Sequence, residues 1–152
     1  MTRRSATSFQ YKHPSTHAEI VEAAKRTHAK RIAELNAASK MIIAIEPDLA
    51  ALTAQGIYYS ISDHSMYLVD WSTSTSGTTK KALRINCSLW GEYGDRMVSA
   101  FLARGWIVEE AKADGRMSKV LLRRPKTRVR ISLECSEEFA KQLSHEPASE
   151  AQ

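Results

Sequence analysis

Residues Thr127 to Leu133 alternate without a break, Val129, Ile131 and Leu133 against Arg128, Arg130 and Ser132. A period of two is the strand period, so the three aliphatic side chains share one face and the two arginines the other. Such a strand fits a sheet that buries one face and wets the other, as antiparallel sheets commonly do. The residues upstream supply partners. Trp106, Ile107 and Val108 begin a strand, Asp114-Gly115 tolerates the positive φ of a tight turn, and Met117 to Leu122 begins the return. Arg124-Pro125-Lys126 makes the next turn, where proline removes a ladder donor.

Three further alternating segments precede this stretch. Ile57, Tyr59 and Ile61 share one face, and Ser62-Asp63-His64-Ser65 turns the chain. Tyr67, Val69 and Trp71 share a face of the second, and Leu83, Ile85 and Cys87 point inward from the third, with Lys80, Arg84 and Asn86 opposite. The hydroxyl-rich run Ser72 to Thr79 joins the last two and buries too little to order itself. Between the two strand groups, Ser88 to Arg104 reads as a helix with Tyr93, Met97, Val98, Phe101 and Leu102 on one apolar face and Gly105 as its stop. Ser136-Glu137-Glu138 opens a short helix through Leu143. The expected fold is α+β: a largely antiparallel sheet of five or six strands, covered by one core helix. Tyr59, Ile61, Val69, Leu83, Ile85, Phe101, Leu102, Val120, Val129 and Ile131 are the expected core.

A long helix precedes the sheet. Thr16 and Glu19 have the spacing of a capping box, and Ala, Glu, Lys and Arg dominate from there to Ile45, with Glu22–Arg26 and Lys30–Glu34 spaced for ion pairs. Glu46-Pro47-Asp48 is expected to end it and to start a short helix reaching Gly56. Val21, His28, Leu35 and Ile42 recur every seven residues, with Ala24, Ala38 and Ile45 three after three of them. This seam is thin, and Arg31 interrupts it. Two outcomes compete: the helix lies on its own sheet, or Val21, His28, Leu35, Ile42 and Ile45 form the interface of a homo-oligomer. Residues 1–15 read as a flexible basic arm, 16–143 as a single domain and 144–152 as a disordered tail.

At 152 residues and 43% hydrophobic content the chain has enough for one core. Its two cysteines, Cys87 and Cys135, end alternating strands in register with inward residues, so buried free thiols of a reducing cytoplasm are expected. The longest apolar run, Met41 to Ile45, is far too short for a membrane span. The formal net charge is +5. Its densest expression lies between Arg116 and Arg130, where Arg116, Lys119, Arg123, Arg124, Lys126, Arg128 and Arg130 occur with no acidic residue among them. Like charges so placed repel unless solvent, salt or an anionic partner compensates them.

The residues offer little chemistry. His13 and His17 are separated by the helix-breaking Pro14, and two ligands without a third make no metal site. Asp63-His64 beside Ser62 and Ser65 lacks the glycine pattern of a nucleophile elbow, and there is no Cys-x-x-Cys, phosphate-loop or dinucleotide fingerprint. No cofactor is expected and no catalytic residue stands out, which leaves an enzyme with a site assembled from scattered residues as a third outcome beside binding and assembly. The leading expectation is a non-enzymatic nucleic-acid binder using Arg116, Lys119, Arg123, Arg124, Lys126, Arg128 and Arg130, with Lys80 and Arg84 on an adjacent strand, doubled by a homodimer. The alternative is a protein-interaction or assembly module whose long helix is the working part.

Overall fold

The alternating stretch forms the middle strand of a five-stranded sheet in the computed structural model, which describes residues 13–57, 61, 65–72, 79–88 and 92–145. The strands are β1 (Met66–Ser72), β2 (Thr79–Cys87), β3 (Ile107–Lys112), β4 (Lys119–Arg123) and β5 (Val129–Glu134), in the order β1-β2-β5-β4-β3. The helices are α1 (His17–Ala37), α2 (Ser39–Ala54), α3 (Glu92–Ala103) and α4 (Glu137–His145). The class is α+β, as the patterning indicates. The sheet, however, is mixed rather than wholly antiparallel. β1–β2 and β3–β4–β5 are antiparallel units, and β2 and β5 join them side by side in parallel. Short local connections permit only antiparallel neighbours, but β2 and β5 are separated by α3, β3 and β4, which is ample chain for a parallel pair.

One face of this sheet is covered. Leu83, Ile85 and Cys87 of β2, Val129, Ile131 and Leu133 of β5, and Val120 and Leu122 of β4 form a single buried cluster with Met97, Val98 and Phe101 of α3. The covering layer is more than the one helix expected, because α2 adds Ile45 and Leu52, and α4 adds Ala140 with Phe139 and Leu143 packed beside it. α3 presses close to β5: a Cβ on Gly94 would collide with the carbonyl oxygen of Glu134. Beside it, the Asp95 carboxylate accepts from the Ser136 amide (2.7 Å) and hydroxyl (2.6 Å), while the Ser136 oxygen accepts from the Phe139 amide and caps α4. Cys87 and Cys135 are buried and not joined by a disulfide, and burial, with the Asp95 carboxylate second, pushes the Cys135 thiol up to about 11. Tyr93, expected on the core face of α3, is exposed instead. The neighbouring Gly94 takes the contact with the sheet, and one residue along a helix turns a side chain by about 100°.

The capping box forms as its spacing requires, with the Glu19 amide donating to Thr16 Oγ1 and the Thr16 amide to Glu19 Oε2, each at 3.2 Å. Glu22 pairs with Lys25 (3.3 Å), one residue short of the expected Arg26. The helical run breaks at Ala38, which is buried, and not at Glu46-Pro47, so Pro47 lies inside α2. Proline there forfeits one backbone hydrogen bond. Long-range contacts outweigh the loss: Ile45 and Asp48 are both buried, and the Asp48 carboxylate accepts from Arg104 Nε (2.6 Å) and Arg124 Nε (3.1 Å).

The described chain falls into two compact units, up to Ala33 and from Glu34 onward. In the first, Val21 is half-buried, His28 is exposed, and Ile20 and Ile32 are 52% and 45% exposed. In the second, Ile45 is buried and Leu35 and Ile42 pack against the sheet core. Among the described residues no helix is long and apolar enough to cross a membrane. Tyr59, Asp63, His64, most of the Ser72–Thr79 run, most of the N-terminal arm and most of the C-terminal tail lie outside the described residues; Ile57 and Ile61 are half-buried against the core.

Candidate nucleic-acid interface

Pairing register fixes what stands on the other face of the sheet. In β1, Met66 lies opposite Ile85 and Leu68 opposite Leu83, which turns both toward the core. Tyr67, Val69 and Trp71 therefore project from the outer face, opposite Arg84, Ala82 and Lys80. Tyr67 and Val69 are 43% and 39% exposed, so the expected burial of Val69 is overturned. The reason is that both faces of β1 are apolar, and only hydrogen-bonded register with β2 decides between them. Arg84 stands beside Arg130 across the parallel pair, Arg130 opposite Arg123, and Glu134 opposite Lys119.

A bulge in β3 completes this face. Val108 pairs with Leu122 and Ala111 with Val120, both core positions, although they are three residues apart. Both can face inward only if one extra residue interrupts the alternation. The irregularity lies between Val108 and Glu110, and it carries Glu109 to the outer face among the arginines. Glu109 Oε1 is 2.7 Å from Arg123 Nε, and Glu109 Oε2 is 2.6 Å from Arg130 Nε. That Nε–H is not aligned for a hydrogen bond; Arg130 donates instead through Nη2 to Glu109 Oε1 at 3.2 Å. On its other side the Arg130 guanidinium lies 3.6 Å from the centre of the Trp71 ring. The register places Ala82 between Trp71 and Arg130, and this small outward residue is fully covered. A chain of contacts thus crosses from β3 through β4 and β5 to β1.

The nine cations expected to bind nucleic acid consequently divide into groups. Lys80, Arg84, Lys119, Arg123 and Arg130 belong to the outer face, where Arg123 and Arg130 are engaged by Glu109, and Arg128 lies in the bend before β5. Arg124 turns away to the buried Asp48. Arg116 lies in the 3₁₀ turn Gly115–Met117 and Lys126 in the β4–β5 turn, both exposed. Arg128 donates to the Lys81 carbonyl (2.7 Å), and Lys81 pairs with Asp70 at the rim. Lys80, Arg84, Lys119 and Arg128 make no ion pair with a carboxylate among the described residues. Next to Arg84 a polar cleft is lined by Asn86, Ser88, Ser132, Lys119 and Glu134.

Two features of this face escape a reading confined to local sequence. Counting acids only between Arg116 and Arg130 overlooks Glu109, which arrives from a neighbouring strand. The signal was the Val108/Ala111 spacing around two adjacent glutamates. The outward aromatics of β1 had no such signal. Among the described residues no three His, Cys, Asp or Glu side chains are grouped for a metal ion. Compared with protein-family models, curated proteins and solved structures, the chain matches none.

Proposed function

We propose that this chain is a non-enzymatic accessory protein that binds nucleic-acid backbone on the sheet face opposite the one that α2, α3 and α4 cover. One observation carries the reading: Lys80, Arg84 and Lys119 share that face and have no carboxylate partner among the described residues. Cations without a protein counterion attract a polyanion and release its condensed counterions, which makes binding salt-dependent. Arg123 and Arg130 contribute less than their number suggests, since Glu109 already neutralises part of their charge. The test is a salt titration of oligonucleotide binding for the parent and for Arg84→Ala with Lys119→Ala. Loss of two phosphate contacts flattens the logarithmic salt slope by roughly 1.4 on a single strand and 1.8 on a duplex. Absence of binding by the parent at about 50 mM salt, or an unchanged slope in the double variant, rejects the reading.

A second reading, an assembly module acting through α1, is favoured by Ile20 and Ile32, both exposed on a helix with no buried residue. Leu35, Ile42 and Ile45 are engaged in the chain's own core, so a homodimer seam would rest on Val21 and His28 flanked by Ile20 and Ile32. Light scattering of the parent against Ile20→Glu with Ile32→Glu decides it: a dimer that dissociates supports the seam, and a monomeric parent removes it.

A further inference from the structure

We infer that the strand taken up on this face is single, with a base stacked on Tyr67 and phosphates on Arg84 and Lys119. The inference rests on the backbone-binding reading above and adds the class of ligand. Tyr67 and Arg84 are direct cross-strand neighbours on the outer face. Side chains so placed start about 5 Å apart at Cβ, so one nucleotide can meet the ring with its base and the guanidinium with its phosphate. Charge complementarity alone would suit any polyanion. The apolar part of the face is what selects: Tyr67 and Val69 present exposed aromatic and aliphatic surface beside the cations. Against a duplex that surface meets only sugars and phosphates, because the bases are stacked inside.

Shape points the same way. Reading a duplex requires an element that enters a groove, usually a helix or a two-stranded ribbon. These residues lie on the broad face of a five-stranded sheet, which cannot enter a groove about 12 Å wide. An unstacked strand can lie flat on such a face, its bases on aromatic rings and its backbone tracked by cations. Arg130 covers one side of the Trp71 ring, which leaves at most the other side of that ring for a base. Between Arg84 and Lys119 the cleft with Asn86, Ser88 and Ser132 offers hydroxyl and amide groups to a base edge or sugar.

The experiment is fluorescence anisotropy with a labelled 15-nucleotide oligothymidylate and a 15-base-pair duplex, at about 50 mM salt, for the parent, Tyr67→Ala, Tyr67→Phe and Arg84→Ala. The parent is expected to prefer the single strand roughly tenfold or more. Tyr67→Ala abolishes that preference, Tyr67→Phe retains it, and Arg84→Ala weakens both ligands. Equal binding of both ligands by the parent, or a Tyr67→Ala variant that keeps the preference, overturns the single-strand inference while leaving the backbone reading standing if Arg84→Ala still weakens binding. If the parent binds neither oligonucleotide, both fall.

Discussion

β5 and β1 both alternate, yet one could be oriented from its residues and the other could not. In β5 the alternation sets aliphatic side chains against arginines, and the cost of burying charge leaves one orientation. In β1 it sets Met66 and Leu68 against Tyr67, Val69 and Trp71, so either orientation hides a comparable hydrophobic load. Alternation tells which side chains share a face; only a difference in polarity between the faces tells which one is buried. β1 is an edge strand, and its orientation is settled by Leu83 and Ile85 of β2 and by the Leu68 amide, which donates to Glu34 Oε1 at 2.9 Å.

The contrast can be broken most sharply with paired truncations. Ile131→Ala removes a fully buried side chain and should cost about 2–5 kcal/mol in urea unfolding, whereas Val69→Ala, on the outer face, should cost less than about 1 kcal/mol. Equal costs would mean that the outer face is covered, and the orientation of β1 would be wrong. A somewhat smaller effect probes β5 from its helix side. In Gly94→Ala the new methyl meets backbone, which cannot rotate away, so α3 or β5 must shift. A loss of about 1–3 kcal/mol is expected. A thermally neutral Gly94→Ala would show that α3 does not approach β5 so closely.

What the residues alone conveyed follows the same division. The period-two pattern placed β2 and β5 and their buried sides, because each opposes aliphatic residues to charged or polar ones, and the Asp114-Gly115 turn placed β4 as a return strand. Local capping chemistry placed the start of α1 at Thr16 and Glu19. Where the outcome depended on distant residues, local patterning misled. Pro47 is a helix breaker by itself, but Asp48 held by Arg104 and Arg124 keeps α2 continuous through it. The heptad seam of residues 21–45 read as one surface, yet from Leu35 onward it is core. The basic run looked uncompensated until the bulge brought Glu109 into it.

Glu109 also supplies the finest test of how the two faces differ, because on the outer face a charge can be changed with little penalty. Its side chain and those of Arg123 and Arg130 are 21%, 30% and 31% exposed, and ion pairs with that much access to water contribute up to about 1 kcal/mol each. Glu109→Gln keeps the shape and one accepting oxygen while removing the carboxylate charge. Stability should therefore fall by less than about 2 kcal/mol for the two pairs together, below the loss for Ile131→Ala. The effect on binding should have the opposite sign. With the counter-charge gone, Arg123 and Arg130 become available to phosphate, so affinity should rise and the salt slope on a single strand should steepen by roughly 0.7 for each further phosphate neutralised. An unchanged affinity would confine the working cations to Arg84, Lys119 and their neighbours and leave Arg123 and Arg130 as cross-strand ties. A weakened affinity would mean that Glu109 matters by holding Arg130 against Trp71, which makes the arrangement of the aromatic surface, more than the count of charges, what the ligand recognises.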